Sequence, residues 1–263
     1  MHTEGVEKMT NEEIQANHEW TLELFDAFRD ICDRHNIKYY IAEGSAIGTV
    51  REKGFIPWDI NVDVNMLYED YLKLDAIMEK ETPEGMYWGI PENTNWMVKR
   101  LIFPDSKFAE KPPVRPNVDV GLFAPTSNVK AFRYLDLVIL HYAYSAYKLR
   151  QSDIPRRYPY NVLKYVAKIF PPKFYFALMR FYANKNNPKK SRYLVNLNCG
   201  GKLHKGDVVK KEWFTGEPEV FGEFEGRKVR LPRDYDIYLR RYYGDYMTPK
   251  HANKGISRYQ KKT

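Results

Sequence analysis

The sequence predicts an α/β fold: a small mixed sheet flanked by helices, followed by a helical and loop-rich C-terminal half. Three observations carry that prediction. Trp20, Leu24, Phe28, Ile31 and Cys32 recur at three- and four-residue spacing, the stripe of a long opening helix. From Asp59 to Val64 polar and apolar residues alternate strictly, which is the period of a strand. Val118-Asp119-Val120 repeats the alternation between Pro116 and Gly121. An apolar content of 43% over 263 residues allows a sizeable core.

Thr10-Asn11-Glu12-Glu13 has the form of a capping box, so the first helix starts there and ends near His35-Asn36. Ile37 to Ala42 reads as a strand, and Gly44 to Val50 as a short helix behind a Gly-Ser turn. Asp59 to Val64 is the acidic strand. Asp70 to Lys80 is a second helix with Tyr71, Leu74, Ile77 and Met78 inward. Tyr87-Trp88-Gly89, Val98 to Phe103 and Asp119 to Phe123 read as strands, and Asn128 to Leu149 divides between a strand and a helix. Pro171-Pro172 separates two aromatic, basic helices, Val162 to Phe170 and Lys173 to Tyr182. Tyr193 to Asn198 reads as a strand before a Gly200-Gly201 turn, and Glu219 to Leu231 as a hairpin around Gly226. A last helix runs from an Asp234 cap to Gly244. Residues 1–9 read as a disordered start, 10–127 as the core, 128–247 as the rest of the same domain and 248–263 as a basic tail.

In a strand, Asp59, Asn61 and Asp63 point one way and Ile60, Val62 and Val64 the other. Two carboxylates and an amide on one face are costly to bury unless a cation or hydrogen bonds satisfy them. Asp119 adds a third carboxylate where the strands pair. Gly44 and Ser45 stand at the opening of a helix, where free backbone N–H groups bind phosphate. Arg51 and Lys53 follow closely and are placed to hold further phosphate oxygens. Each feature alone has an ordinary reading: a half-solvated sheet, a turn glycine, two solvated loop charges. Together they form the kit for metal-assisted phosphoryl or nucleotidyl transfer.

The net charge of +8 suits anionic partners: nucleotide diphosphates, nucleic acid or an anionic membrane surface. Tyrosine occurs 21 times, which suits sugar and base stacking as well as core edges. Cys32 and Cys199 are too few for a disulfide framework and lack metal-ligand spacing, so Cys32 is expected as a small core residue. No hydrophobic leader opens the chain and no run of about eighteen apolar residues occurs. A cytoplasmic location follows as the expectation, with contact at the inner membrane surface a further one. That contact rests on the stretch from Asn161 to Ser191, which holds no acid. Core-facing helices with outward lysines are the favoured reading of the same stretch. His35, His204 and His251 are expected as structural or surface residues, and no Walker loop, Rossmann fingerprint or serine-hydrolase elbow is present.

The segment Gly44 to Val64 resembles the core motif of the LicD family, which includes the fukutin-related proteins. Ile47-Gly48-Thr49-Val50-Arg51 and Gly54-Phe55-Ile56-Pro57-Trp58-Asp59 carry the resemblance, as does the run Cys32 to Tyr40 ahead of them. Phe224-Glu225-Gly226, Pro232, Tyr235-Asp236-Ile237-Tyr238-Leu239 and Tyr243-Gly244-Asp245-Tyr246-Met247 resemble the family's closing motif. The resemblance spans roughly residues 10 to 250. It implies a nucleotidyltransferase-like fold and transfer of a phosphorylated group from a CDP-linked donor to a glycan hydroxyl. Phosphocholine from CDP-choline is the first candidate, with ribitol, glycerol or sugar phosphate as alternatives.

On that reading Asp63 and Asp119 hold magnesium or manganese with Asn61 assisting. Asp59 is a further ligand or the base, and Gly44, Ser45, Arg51 and Lys53 bind the donor. The acceptor is a glycan or lipid-linked glycan, and no nucleic-acid partner is expected. The family usually has aspartate where this chain has Asn61, and often where it has Ile60. An amide offers magnesium an oxygen but no charge, so a non-catalytic glycan- or nucleotide-binding relative stands as the alternative. The Tyr243-Gly244-Asp245 element lines the acceptor cleft or simply ends a helix.

Overall fold

The computed structural model describes residues 9–91, 96–104, 115–151, 160–198 and 205–249. Residues 1–8 of the expected disordered start, the Gly200-Gly201 turn, Cys199, His204 and nearly all of the expected basic tail lie outside them, while Met9 is described and buried against Ile14 and Ile60.

The first half reads α1 (Asn11–Arg34), β1 (Tyr40–Ile41), α2 (Glu43–Arg51), β2 (Val62–Leu67), α3 (Tyr68–Glu81), β3 (Tyr87–Gly89), β4 (Arg100–Ile102) and β5 (Val118–Thr126). The second half reads α4 (Lys130–Gln151), α5 (Tyr160–Ile169), α6 (Pro172–Asn184), β6 (Tyr193–Asn196), a 3-10 turn (Lys205–Asp207) and β7 (Val208–Lys210). It closes with α7 (Glu212–Thr215), β8 (Val220–Phe224), β9 (Arg227–Leu231) and α8 (Tyr235–Tyr243). A mixed sheet runs in the order β1-β2-β5-β6-β7, with only β2 and β5 parallel, and β3-β4 and β8-β9 are separate antiparallel pairs. The α/β expectation of a small mixed sheet flanked by helices is met.

The capping box forms in full. Glu13 N donates to Thr10 Oγ1 at 3.2 Å, and Thr10 N donates to Glu13 Oε2 at 2.6 Å. Leu24, Phe25, Phe28, Ile31 and Cys32 of α1 are buried in a core cluster that continues through the sheet to Tyr246. Burial pushes the Cys32 thiol up, which leaves it inert.

The structure departs from the sequence reading in three places that matter. The acidic strand begins at Val62, not Asp59. Asp59 N donates to Ile56 O at 2.8 Å, closing a turn around Pro57-Trp58, and the Asp59 carboxylate accepts from Ile60 N at 3.1 Å. These local bonds take Asp59, Ile60 and Asn61 out of the ladder. Next, Asn128 to Leu149 contains no strand, and one long helix occupies it from Lys130. Finally, α5 does not face the core, although α6 does, through Tyr175, Met179, Tyr182 and Ala183. In α5 the residues Tyr165 and Ile169 are 71% and 73% exposed, while Ala167 is buried.

The hairpin β8-β9 reaches across to the loop after α2. Its turn residues Glu225 and Gly226 both have positive φ, at 48° and 74°, as a type I′ turn requires. Glu225 N donates to Lys53 O at 2.8 Å, and the Glu225 carboxylate accepts from Phe55 N at 3.0 Å. A Cβ on Gly54 would stand 2.1 Å from Glu225 Oε1, so any larger residue would displace the Glu225 carboxylate from this approach. Two motifs far apart in sequence are thereby locked together.

Candidate active site

Parallel pairing of β2 with β5 sets Asp63 opposite Asp119 in register. Residues opposite one another on neighbouring strands, about 4.8 Å apart, project from the same face. Val62 and Val64 in β2, and Val118 and Val120 in β5, are buried on the other face. Both aspartates line a cleft of about 520 Å³. Glu43 at the start of α2 and Asp207 of the 3-10 turn add two more carboxylates, and Arg100 of β4 and Lys148 of α4 supply two cations. Tyr144, Tyr242 and Tyr243 bring three aromatic rings to the walls.

The electrostatics follow from crowding. Burial, then the charges of Glu43, Asp119 and Asp59, push the Asp63 carboxyl well above the usual range. Glu43 meets solvent at the cleft mouth, yet enclosure by the cleft walls, together with Asp119 and Asp207, pushes it up to about 7. Burial raises Asp59 to about 6. Burial also lowers the Lys148 ammonium. Arg100 offsets part of the negative charge. Its guanidinium pairs with Asp119 at 2.7 Å, donates to Asn117 at 3.1 Å and lies 3.8 Å over the Trp96 ring.

Each residue expected from sequence has a definite place. Asp63 and Asp119 come together. Asn61 lies beside them, and its amide nitrogen donates to Asp63 Oδ1 at 2.8 Å. Asp59 is seated under α2, where a Cβ on Gly44 would stand 2.2 Å from Asp59 Oδ2. Gly44 thus admits the Asp59 carboxylate. His18, stacked on Phe55 at 3.9 Å, contacts Asp59 O at 2.6 Å and holds the same loop. Ser45 Oγ is buried and accepts from Asp63 N at 2.9 Å, so its hydroxyl fixes the start of β2. Arg51 binds Glu52 at 2.6 Å and Tyr246 O at 2.8 Å, joining the end of α2 to the C-terminal region. Neither Arg51 nor Lys53 lines the cleft; among the described residues the cations that do are Arg100 and Lys148.

Sequence reasoning missed Glu43, Arg100, Lys148 and Asp207. Glu43 directly precedes the Gly-Ser turn, which was the available signal. Tyr243 lines the cleft and donates to Glu43 Oε2 at 3.4 Å, while Gly244, at φ 70°, ends α8.

Among the described residues, no set of three or more His, Cys, Asp or Glu side chains is arranged to hold a metal ion. Two carboxylates are a donor set that would fit magnesium, an ion that uses one or two carboxylates and completes its shell with water and phosphate. The excess negative charge around Asp63 is of the sign a cation relieves. Asp59 packs against Gly44 and Asn61 turns its amide nitrogen to Asp63, and neither is among the residues that line the cleft.

Residues 36–133 match the family described as LicD/FKTN/FKRP, nucleotidyltransferase domain. The matched segment contains both paired acidic strands, β2 and β5, that floor the cleft. Over 244 residues the chain is 29% identical to the lipopolysaccharide cholinephosphotransferase LicD of Haemophilus influenzae, covering 86% of this chain and 88% of that protein. Uncharacterised proteins of Rickettsia prowazekii and Rickettsia typhi are 35% and 33% identical over 60 residues, which span 23% and 19% of their own lengths. The chain is thus similar to the LicD family over residues 36–133 and, at lower identity, to one of its named relatives over most of its length.

Proposed function

We propose that the protein transfers a phosphorylated alcohol, phosphocholine foremost, from a CDP-linked donor to a hydroxyl of a cell-surface glycan. The observation that carries the reading is the register pairing of Asp63 with Asp119 in a cleft that also holds Arg100 and Lys148. Lys148 is placed to take the donor diphosphate as a point charge, and Arg100 keeps Asp119 oriented. Asp63 and Asp119 would hold magnesium or manganese. When bound, the ion neutralises charge on the phosphoryl oxygens. The acceptor hydroxyl oxygen forms its bond to the phosphorus that bears the alcohol, CMP leaves, and Glu43 is the cleft carboxylate placed to take the hydroxyl proton.

Three tyrosines in the cleft favour choline over ribitol, glycerol or a sugar. A quaternary ammonium gains a charge attraction to aromatic faces beyond the stacking that a neutral sugar or polyol makes. The named activity of the Haemophilus relative points the same way. A CDP-linked donor and a cytoplasmic site of action complete the proposal. The experiment is a screen of CDP-choline, CDP-ribitol and CDP-glycerol with magnesium and a lipopolysaccharide acceptor, read as CMP release. Selective turnover of CDP-choline supports the reading. Selective turnover of CDP-ribitol or CDP-glycerol assigns another group, and binding of CDP-choline with no CMP release assigns a non-catalytic relative.

A further inference from the structure

The helix α5 is inside out. Leu163, Tyr165, Val166 and Ile169 are 50%, 71%, 48% and 73% exposed, while Ala167 is the side chain turned inward. Positions 165 and 169 stand four apart and 163 and 166 three apart, so these residues share one broad side of the helix. Phe170 continues the face beyond the helix and stacks on Phe174 of α6 at 4.7 Å, with both rings exposed. Soluble helices turn such a stripe toward the core.

Lys164 and Lys168 flank the stripe, Lys173 follows it, and no acid occurs from Asn161 to Ser191. An apolar, aromatic face bordered by lysines is complementary to the surface of an anionic bilayer: apolar side chains enter the acyl boundary while ammonium groups meet lipid phosphates. No described helix is long and apolar enough to cross a membrane, so contact would be along the surface.

The position of the face gives the contact a use. Tyr144 and Lys148 of α4 line the cleft, and Tyr147 of the same helix packs on Tyr175 and Phe176 of α6 at 5.8 and 5.6 Å. Tyr175 in turn donates to Ala167 O of α5 at 2.9 Å. One helix therefore links the exposed face to the cleft wall. We infer that α5 is a docking surface for an anionic lipid leaflet, and that it brings the cleft to an acceptor glycan carried on a lipid. The second half of this inference rests on the proposed transfer; the first does not.

The test is flotation of the full chain with vesicles of phosphatidylcholine alone or mixed with phosphatidylglycerol. The chain is expected to float with the mixed vesicles and to be released by high salt. Val166→Asp combined with Ile169→Asp is expected to weaken binding at least about tenfold, with an unchanged circular dichroism spectrum and unchanged CMP release on a soluble acceptor. Lys164→Glu with Lys168→Glu, which leaves the apolar face intact, is expected to abolish the preference for anionic vesicles. Absence of flotation, or equal flotation by the Asp double variant, overturns the inference. So does a dimer in light scattering that the double variant dissociates, since a second copy would then cover the face. If the wild type floats but releases no CMP from any donor, the transfer reading fails and the docking surface stands.

Discussion

The Glu225 carboxylate accepts a hydrogen bond from the Phe55 backbone nitrogen at 3.0 Å, between residues 170 positions apart in sequence. The loop it holds carries Asp59, which packs against Gly44 at the start of α2. The closing hairpin therefore braces the loop and helix beside the site. Glu225→Ala leaves Phe55 N without this partner and is expected to cost about 1–3 kcal/mol, the range for an orphaned polar group. A chain of this size would lose roughly 2–4 °C of Tm per kcal/mol. Thermal melts check this, and turnover is expected to fall with it.

Asp63 is held against its own charge. Glu43 and Asp59 titrate at about 7 and about 6 in the folded chain, above their ordinary 4.5 and 3.8, and Asp63 is raised as well. The native state thus binds more protons than the unfolded chain in this range, so stability falls as pH rises from about 4 through about 7. His18, held neutral by burial, acts in the opposite sense below its ordinary 6.5. Without divalent cations, Asp63→Asn is expected to flatten the decline and raise Tm by a few degrees at pH 8, while magnesium raises the Tm of the wild type alone. Calorimetric scans between pH 4 and pH 8 measure both, and a lower Tm in the variant would contradict the crowding argument.

Arg100 spans Asp119, Asn117 and the Trp96 ring at once. Lysine keeps the charge but loses the planar stack and the second donor. Arg100→Lys is therefore expected to lower kcat/KM about 10- to 100-fold, which corresponds to about 1.4–2.7 kcal/mol, with donor affinity changed less. Steady-state kinetics across donor concentrations separate the two.

Asn61 donates to Asp63, the carboxylate proposed to hold the metal. In Asn61→Asp a repelling charge replaces that donor, so the metal-free protein is expected to melt lower. Magnesium then has a further anionic oxygen nearby, and its affinity is expected to rise about tenfold, or ~1.4 kcal/mol, with turnover rising alongside. Calorimetry and CMP release, run side by side, give both values. Tighter magnesium without turnover would mark a binding relative, and no change in affinity would show that position 61 does not influence the metal.

Asp63 and Asp119 were legible in the sequence because strand alternation fixes which side chains share a face, and both stand between buried valines. Thr10 and Glu13 were legible because the capping box is local. Arg100 was not: β4 is three residues long and wholly buried, so no alternation marks one side chain as facing the cleft. Lys148 sits on a helix whose cleft-facing side is set by packing against β6 and α6, a tertiary fact. The outward face of α5 was hidden for a related reason. Periodicity shows that Tyr165 and Ile169 share a side, but it does not give the direction in which that side points.

The central claim is that Asp63 and Asp119 act as one unit in a metal-dependent transfer. The most direct measurement is magnesium-dependent CMP release from CDP-choline by wild type, Asp63→Ala, Asp119→Ala and the double variant, all confirmed folded by circular dichroism. Each single variant is expected to lose about 10³-fold or more in kcat, and the double variant little beyond that, as residues acting as a unit do. Single variants that retain turnover within about tenfold of wild type, a loss of under ~1.4 kcal/mol, would contradict the account.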